Sequence, residues 1–187
     1  MNRKMLIASA GGLVMMTVAV FAHGGASGVV KQRMDAMSNM GKVMKTMATM
    51  MRGESPMDAD LIRASARTIL DHSGGSLTKL FPERSNAKPS EARDEIWSNW
   101  DEFNTLSDRL NTLATGMEAA SGNGMMMADS NSSMMGKKGM MGKGGMMGGD
   151  THMPSLQMLS TMPIDGVFNM VAQTCSACHT KFRFEKK

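Results

Sequence analysis

Apolar and polar residues alternate with the period of an amphipathic helix between Val30 and Met51. Most of the apolar positions are methionine, and a methionine stripe at this spacing is typical of core packing. We interpret it so at every position but Met37, which is considered below. The stripe predicts a first helix with one buried face. Along the stripe, one row of residues spaced seven apart is Val30, Met37, Met44 and Met51, and Met34, Met40/Gly41 and Met47/Ala48 lie beside this row.

The same spacing predicts a second and a third helix. Ser55-Pro56-Met57-Asp58 can start the second, which stops at Ser73-Gly74-Gly75. The link from Ser76 to Pro89 is too rich in helix breakers for a regular element. Ser90 with Glu91 to Glu95 then supplies an acidic first turn for the third helix. The predicted inner residues are Leu61, Ile62, Ala66 and Ile69 in the second helix, and Ile96, Trp97, Trp100, Phe103, Leu106, Leu110, Leu113 and Met117 in the third.

Residues 122–153 differ in composition from the rest of the chain. They hold ten methionines and nine glycines and almost no aliphatic residue, so no stable helix is expected and we interpret them as a flexible insertion. A fourth helix is predicted to begin between Pro154 and Pro163 and to run from Ile164 to about Phe184. Four helices and no convincing strand predict an all-α fold, an antiparallel four-helix bundle. The inner residues of the fourth helix are Val167, Met170, Val171 and Thr174.

The first 22 residues have the features of a signal peptide. Arg3 and Lys4 precede an apolar run from Met5 to Phe21, and Val20-Phe21-Ala22 offers small residues where a signal peptidase cuts. We therefore predict export to the periplasm, with an uncleaved anchor helix as the alternative. Without Arg3 and Lys4 the formal charge falls from +4 to +2, and nothing in the charge pattern indicates a nucleic-acid partner.

The only two cysteines of the chain lie in Cys175-Ser176-Ala177-Cys178-His179. This C-x-x-C-H sequence is the one that attaches haem c, because each thiol adds to a vinyl group and the adjacent histidine is placed under the iron. A disulfide, a redox pair or half of a zinc site are the alternatives, but no second Cys/His pair completes a zinc site and no βαβ pattern surrounds the motif. We predict one covalent haem c with His179 as the iron ligand.

Three short segments carry a resemblance to a known family. They are the C-x-x-C-H motif with Phe182 and Arg183 just after it, Glu95-Ile96-Trp97 with Phe103, and Arg33 followed by Met37. In these segments the chain resembles cytochrome c prime, a family of four-helix bundles with the haem motif at the end of the last helix. The resemblance covers roughly Val29 to Glu118 and Ile164 to Lys187, and it implies one bundle over residues 23–187, interrupted at about 122–153.

The resemblance also implies roles for single residues. In the family, the first-helix arginine contacts a haem propionate and the residue one turn later lies over the distal face of the iron, and these positions resemble Arg33 and Met37. Arg183 lies four residues after His179, where its guanidinium could reach the proximal side of the haem. A solvated base near the C-terminus is the alternative for Arg183.

Two functions remain open for such a haem. The distal residue of the family is usually apolar, so the resemblance implies a five-coordinate iron that binds the diatomic gases NO and CO, with electron transfer as a secondary capacity. Eight residues follow His179 and none is methionine, so a second axial ligand must come from upstream or be absent. A thioether ligand from Met37 would instead give a six-coordinate electron carrier. No acid, base or nucleophile constellation indicates an enzyme.

The methionine-rich insertion and the family's assembly add further expectations. Paired methionines such as Met134-Met135, together with His152, are suited to Cu(I), so a copper-binding function is a third hypothesis. A linker or a sacrificial site for oxidants is the simpler interpretation. His23, at the predicted mature N-terminus, is a weak Cu(II) candidate. The resemblance implies pairing into a homodimer through the first two helices, and a redox partner in the periplasm is not identified by the sequence.

Overall fold

The computed structural model describes residues 25–126 and 153–185, which are mainly helical. The long helices form an antiparallel four-helix bundle, and within the described ranges the only strand-like pairing is an isolated antiparallel bridge between Ala92 and Arg183. This confirms the predicted all-α class. In chain order the helices are α1 (Gly28–Met51), α2 (Ala59–Asp71), α3 (Gly75–Thr78), α4 (Glu95–Ser98), α5 (Trp100–Ala119), α6 (Leu156–Thr161) and α7 (Ile164–Phe182).

Helix α5 is the central element of the bundle. It packs against α2, α6 and α7, while α1 packs against α2. The buried apolar residues fall into two groups. The larger group, here called the bundle core, consists of Met40, Met47, Met50, Ile62, Ala66, Ile69, Leu110, Leu113, Ala114, Met117, Ala120, Leu159, Ile164, Val167 and Val171. The smaller group, here called the aromatic cluster, consists of Leu77, Phe81, Ala92, Ile96, Phe103 and Phe182.

The methionine stripe of α1 has one row that is more buried than the others. Met40, Met47 and Met50 are buried, whereas Val30, Met37, Met44 and Met51 are half-buried. The spacing predicted one buried face but not its most buried row, because the methionines form a broad stripe whose middle hydrophobicity alone does not locate.

Helix α2 begins and ends close to the predicted residues. Asp58 caps its N-terminus, since the carboxylate accepts hydrogen bonds from the N–H groups of Asp60 and Leu61 at 3.0 and 2.9 Å. Ile62, Ala66 and Ile69 are buried as predicted, but Leu61 is 43% exposed, so its assignment to the inner face was wrong. Leu61 lies on one of the two helices through which dimerisation is expected, which stays a prediction.

The predicted third helix differs from the structure at its start. Ser90 to Asp94 is not helical, and the helical stretch begins at Glu95 and is interrupted at Asn99. The reason is tertiary, because the N–H of Arg93 donates to the carbonyl of Phe182 at 3.0 Å rather than to a carbonyl of its own helix. The short α3 also interrupts the link over residues 76–89, which was expected to hold no regular element.

Several predictions fall on residues that the structure does not describe. The signal peptide at 1–22 lies outside the described ranges, as do residues 127–152 of the predicted insertion, with His152, and also His23. Among the helices within 25–126 and 153–185, none is long and apolar enough to cross a membrane.

Candidate functional site

The two thiols of the C-x-x-C-H motif lie one turn apart on α7 and are both free and half-buried. Cys175 packs against the bundle core, whereas Cys178 packs against the aromatic cluster. His179, the next residue, is exposed. Helix α7 therefore presents its thiols to the line along which the two apolar groups meet, with the imidazole at the protein surface.

The surroundings of the thiols are apolar enough to shift their ionisation. Burial raises the pKa of Cys175, and burial together with the neighbouring Cys175 raises the pKa of Cys178 to about 11. Both thiols are therefore neutral near pH 7. Two unpaired thiols at haem-attachment spacing, set against apolar side chains and followed directly by a histidine, fit a covalently held porphyrin.

Met37 is the α1 residue that joins the two apolar groups. Its side chain is half-buried and packs against both the bundle core and the aromatic cluster. Cys175 and Cys178 contact the same two groups, one each. Met37 therefore packs against the apolar group that Cys175 contacts and also against the one that Cys178 contacts.

Arg33 lies one turn before Met37 and is almost fully buried, with 4% of its surface exposed. Its guanidinium donates hydrogen bonds to the hydroxyl and the carbonyl of Ser85, to the hydroxyl of Ser90 at 2.6 Å and to the carbonyl of Leu80 at 3.4 Å. It also stacks 4.7 Å from the ring centre of Phe81. These partners are neutral, and burial lowers the pKa of Arg33.

Arg183 lies just beyond the end of α7 rather than on the helix, where it adopts an extended conformation. Its guanidinium forms an ion pair with Glu91, with both Nε and Nη2 within 2.8 Å of the carboxylate Oε2. Partial burial and the positive Arg183 lower the pKa of His179, while Glu91 acts in the opposite direction. Glu91 was predicted only as part of a helix start, and no local signal in the sequence pairs it with Arg183.

His179 and Arg183 line the same open surface cavity of about 620 Å³. The structure therefore brings together the imidazole that is predicted to bind iron and the arginine that was predicted to approach it. The other lining residues are Ser176, Thr180, Phe184 and Glu185.

A family model described as Cytochrome C' matches residues 28–139 of the chain. The chain belongs to the cytochrome c′ family. It is accordingly a c-type cytochrome with covalent haem c, and Cys175 and Cys178 are the two cysteines of the chain that can hold the haem. The matched residues end before the C-x-x-C-H motif, which lies beyond the predicted methionine-rich insertion.

Curated relatives agree with this membership. Cytochrome c-556 of Agrobacterium tumefaciens is 34% identical over 91 residues, which are 47% of this chain and 70% of the relative. Cytochrome c′ of Rhodopseudomonas palustris is 32% identical over 113 residues, which are 60% of this chain and 75% of the relative.

Solved structures of the family share the fold. Cytochrome c′ from Rhodopseudomonas palustris superposes with a TM-score of 0.59 at 22% identity, covering 87% of this cytochrome and all of that chain. Cytochrome c′ from Thermochromatium tepidum gives a TM-score of 0.57 at 17% identity, covering 84% and 95% of the two chains. At these identities the likeness shows the shared fold, a four-helix bundle.

The copper hypothesis concerns the methionine-rich insertion at about 122–153, most of which lies outside the described ranges. Within 25–126 and 153–185, no group of three or more His, Cys, Asp or Glu side chains could hold a metal ion. Copper binding by the insertion, with its His152, stays a prediction.

Proposed function

We propose that this protein is a periplasmic mono-haem cytochrome that binds NO and CO at its iron and transfers electrons as a secondary capacity. The observation that carries the proposal is that Met37 packs against both apolar groups, the same two groups that Cys175 and Cys178 contact, one each. Apolar walls disfavour charged and strongly hydrated ligands, because a polar group buried without a partner costs free energy. Small uncharged gases carry almost no such cost.

Each residue of the site has a distinct role in this proposal. Cys175 and Cys178 would hold the haem, and its iron would supply the gas-binding position. His179, whose side chain is exposed, would bind the iron through its imidazole. Arg33 is a buried cation among neutral partners, which suits it to an anionic propionate. The role is that of a binder or carrier and requires no enzymatic acid or base.

Family members with bound gases support the proposal. A ferrous variant of cytochrome c prime from Alcaligenes xylosoxidans has been solved with bound NO, and another variant of the same protein with bound carbon monoxide. Both superpose on this chain with a TM-score of 0.55 at 20% identity. Export to the periplasm rests on the signal-peptide features of residues 1–22.

A second candidate function follows from the chemistry of the same methionine. The thioether of Met37 is a known type of haem ligand. Met37 packs against both apolar groups that the two thiols contact, so it is the residue of α1 that would supply this ligand. The protein would then be an electron carrier, since both axial positions would be filled by His179 and Met37. The two candidates differ in spin state.

The deciding experiment is the optical spectrum of the purified ferrous protein before and after addition of carbon monoxide. We expect a broad high-spin Soret band that sharpens and intensifies with the gas. Met37→Leu is the test variant, and Met44→Leu is its matched control because Met44 is a half-buried methionine of α1 that packs against the bundle core. Leucine keeps the volume nearly unchanged.

Each outcome separates the candidates. Gas binding in the wild type, with a high-spin spectrum kept in both variants, supports the gas-binding proposal. The electron-carrier candidate is supported if the wild-type spectrum is sharp and low-spin and does not change with carbon monoxide. Met37→Leu should then give a high-spin spectrum, and Met44→Leu should not. A protein without haem absorbance would overturn both.

A further inference from the structure

We propose that Glu91 is a positioning residue that holds the Arg183 guanidinium beside His179 and so fixes the surface around the exposed axial imidazole. The inference rests on His179 as the axial ligand, but it does not depend on whether the iron binds a gas. Glu91 comes from the segment before α4, 88 positions upstream of His179. It would act through Arg183 rather than on the haem itself.

The side chains of Glu91 and Arg183 make a directed contact. Arg183 Nε lies 2.8 Å and Nη2 2.7 Å from the same carboxylate oxygen, Oε2. The Nε–H donates a charge-assisted hydrogen bond and Nη2 adds an ion-pair contact, and two contacts from one planar guanidinium restrict both its position and its orientation. The Arg183 side chain is 41% exposed, so the ion pair contributes little to the free energy of unfolding. Its main effect is to restrict the orientation of the guanidinium.

Backbone pairing brings the two segments together at the same place. The N–H of Phe184 donates to the carbonyl of Glu91 at 2.9 Å, and the N–H of Arg93 donates to the carbonyl of Phe182 at 3.0 Å. The bridge between Ala92 and Arg183 lies between these two bonds. The last residues of α7 are therefore tied to the Glu91 segment by main chain as well as by side chain.

The Glu91 segment is itself fixed from α1. The Ser90 hydroxyl accepts a hydrogen bond from buried Arg33 at 2.6 Å and another from the N–H of Ala92 at 3.1 Å. Glu91 lies between these two anchored residues. A carboxylate on a segment held by a buried cation is pre-organised, so holding Arg183 costs little additional conformational entropy.

The arrangement has a consequence for the cavity beside His179. Arg183 and His179 both line it, so the orientation of the guanidinium determines how much of the imidazole faces water. Without Glu91, Arg183 would be free to sample rotamers over the cavity, and its positive charge would be less compensated. The environment of the axial ligand would then become heterogeneous.

The test compares Glu91→Gln with Glu102→Gln in the full-length holoprotein. Glu102 is a matched control because it forms an ion pair with Lys181, also in the last turn of α7. Arg183→Gln and the double variant Glu91→Gln/Arg183→Gln complete the set. The first readout is the ferric electron paramagnetic resonance spectrum, which reports the geometry of the axial ligand in either spin state. The second is hydrogen exchange of the Phe184 and Arg93 amides.

We expect Glu91→Gln to broaden or shift the ferric resonance as Arg183→Gln does, with no further change in the double variant. Exchange of the Phe184 amide should accelerate about two- to fivefold, as loss of a partly exposed ion pair implies. Glu102→Gln should leave both readouts at wild-type values. A wild-type spectrum and exchange rate in Glu91→Gln, or changes that add in the double variant, would overturn the inference.

The two proposals fail in different ways. If His179 is not the axial ligand, His179→Ala will leave the haem spectrum of the protein unchanged, which contradicts the proposed function whatever Glu91 does. If His179 is the ligand and Glu91 has no positioning role, the haem spectrum of His179→Ala will differ from that of the wild type, whereas the spectrum of Glu91→Gln will not.

Discussion

Gly116 of α5 lies directly against the side chain of Leu159 of α6. A Cβ added at Gly116 would lie 2.5 Å from the Cβ of Leu159 and 2.6 Å from its Cδ1, closer than carbon atoms pack. Leu159 is fully buried. The absence of a side chain at position 116 therefore permits α6 to approach α5, just before the chain enters α7.

Gly116→Ala is expected to destabilise the protein despite the higher helix propensity of alanine. The propensity gain is about 1 kcal/mol, whereas forcing a methyl group into a packed contact costs about 1–3 kcal/mol. Urea unfolding followed by circular dichroism measures the net change. Gly41→Ala is the control, since a Cβ at exposed Gly41 of α1 meets no atom within 4 Å, and it should gain about 0.5–1 kcal/mol. Equal gains in both variants would contradict the close contact.

Buried Arg33 should contribute much more to stability than an exposed arginine does. Arg33→Gln removes hydrogen bonds to Ser85 and Ser90, and bonds of a charged donor contribute about 1.5–3 kcal/mol each. Arg67→Gln is the comparison, because Arg67 pairs with Glu118 while 63% of its side chain is exposed, and we expect a change below about 1 kcal/mol. The free energy of unfolding of the two variant holoproteins, measured by chemical denaturation, tests this difference. Similar losses in the two variants would show that the Arg33 contacts contribute little.

The sequence predicted the parts of this molecule that depend on local pattern. The four long helices follow from apolar spacing, and the haem attachment follows from five contiguous residues, Cys175 to His179. Glu91 could not be found in this way, because Ser90 and Glu91 have the local appearance of a helix start. Their conformation is set instead by pairing with residues 182–184, some 90 positions away. Sequence periodicity contains no information about such a pairing.

Asn123, just beyond the end of α5, is bonded to the end of α6 through its amide nitrogen. That nitrogen donates to the carbonyls of Ser160 and Met162 at 2.9 and 2.7 Å. Asn123→Asp would place a carboxylate against two carbonyl oxygens, so the pKa of the new carboxyl should be raised above its ordinary value. Its neutral form suits the site better, and stability should therefore fall as the pH rises through that pKa.

Unfolding measured at pH 4 and pH 7 tests this prediction. Relative to the wild type at the same pH, Asn123→Asp should lose about 1–3 kcal/mol at pH 7 and less at pH 4. Asn39→Asp, on the exposed face of α1, should stay within about 0.5 kcal/mol of the wild type at both values. A loss for Asn123→Asp that is the same at both pH values would rule out the electrostatic cause.

The two tryptophans contribute to the aromatic cluster in different ways, and replacing each by phenylalanine should separate them. The indole Nε1 of Trp97 donates to the carbonyl of Phe81 at 3.0 Å, so Trp97→Phe leaves that carbonyl without this donor and should cost about 1–3 kcal/mol beyond the smaller ring. Trp100 packs against Phe103 with ring centres 5.5 Å apart, a contact that phenylalanine can largely keep. Urea unfolding of the two variants should therefore show the greater loss of stability in Trp97→Phe.

A second measurement is the Soret band of the two variants. Because Cys178 packs against the aromatic cluster, Trp97→Phe should also shift this band. A larger loss of stability in Trp100→Phe than in Trp97→Phe would contradict the assigned hydrogen bond.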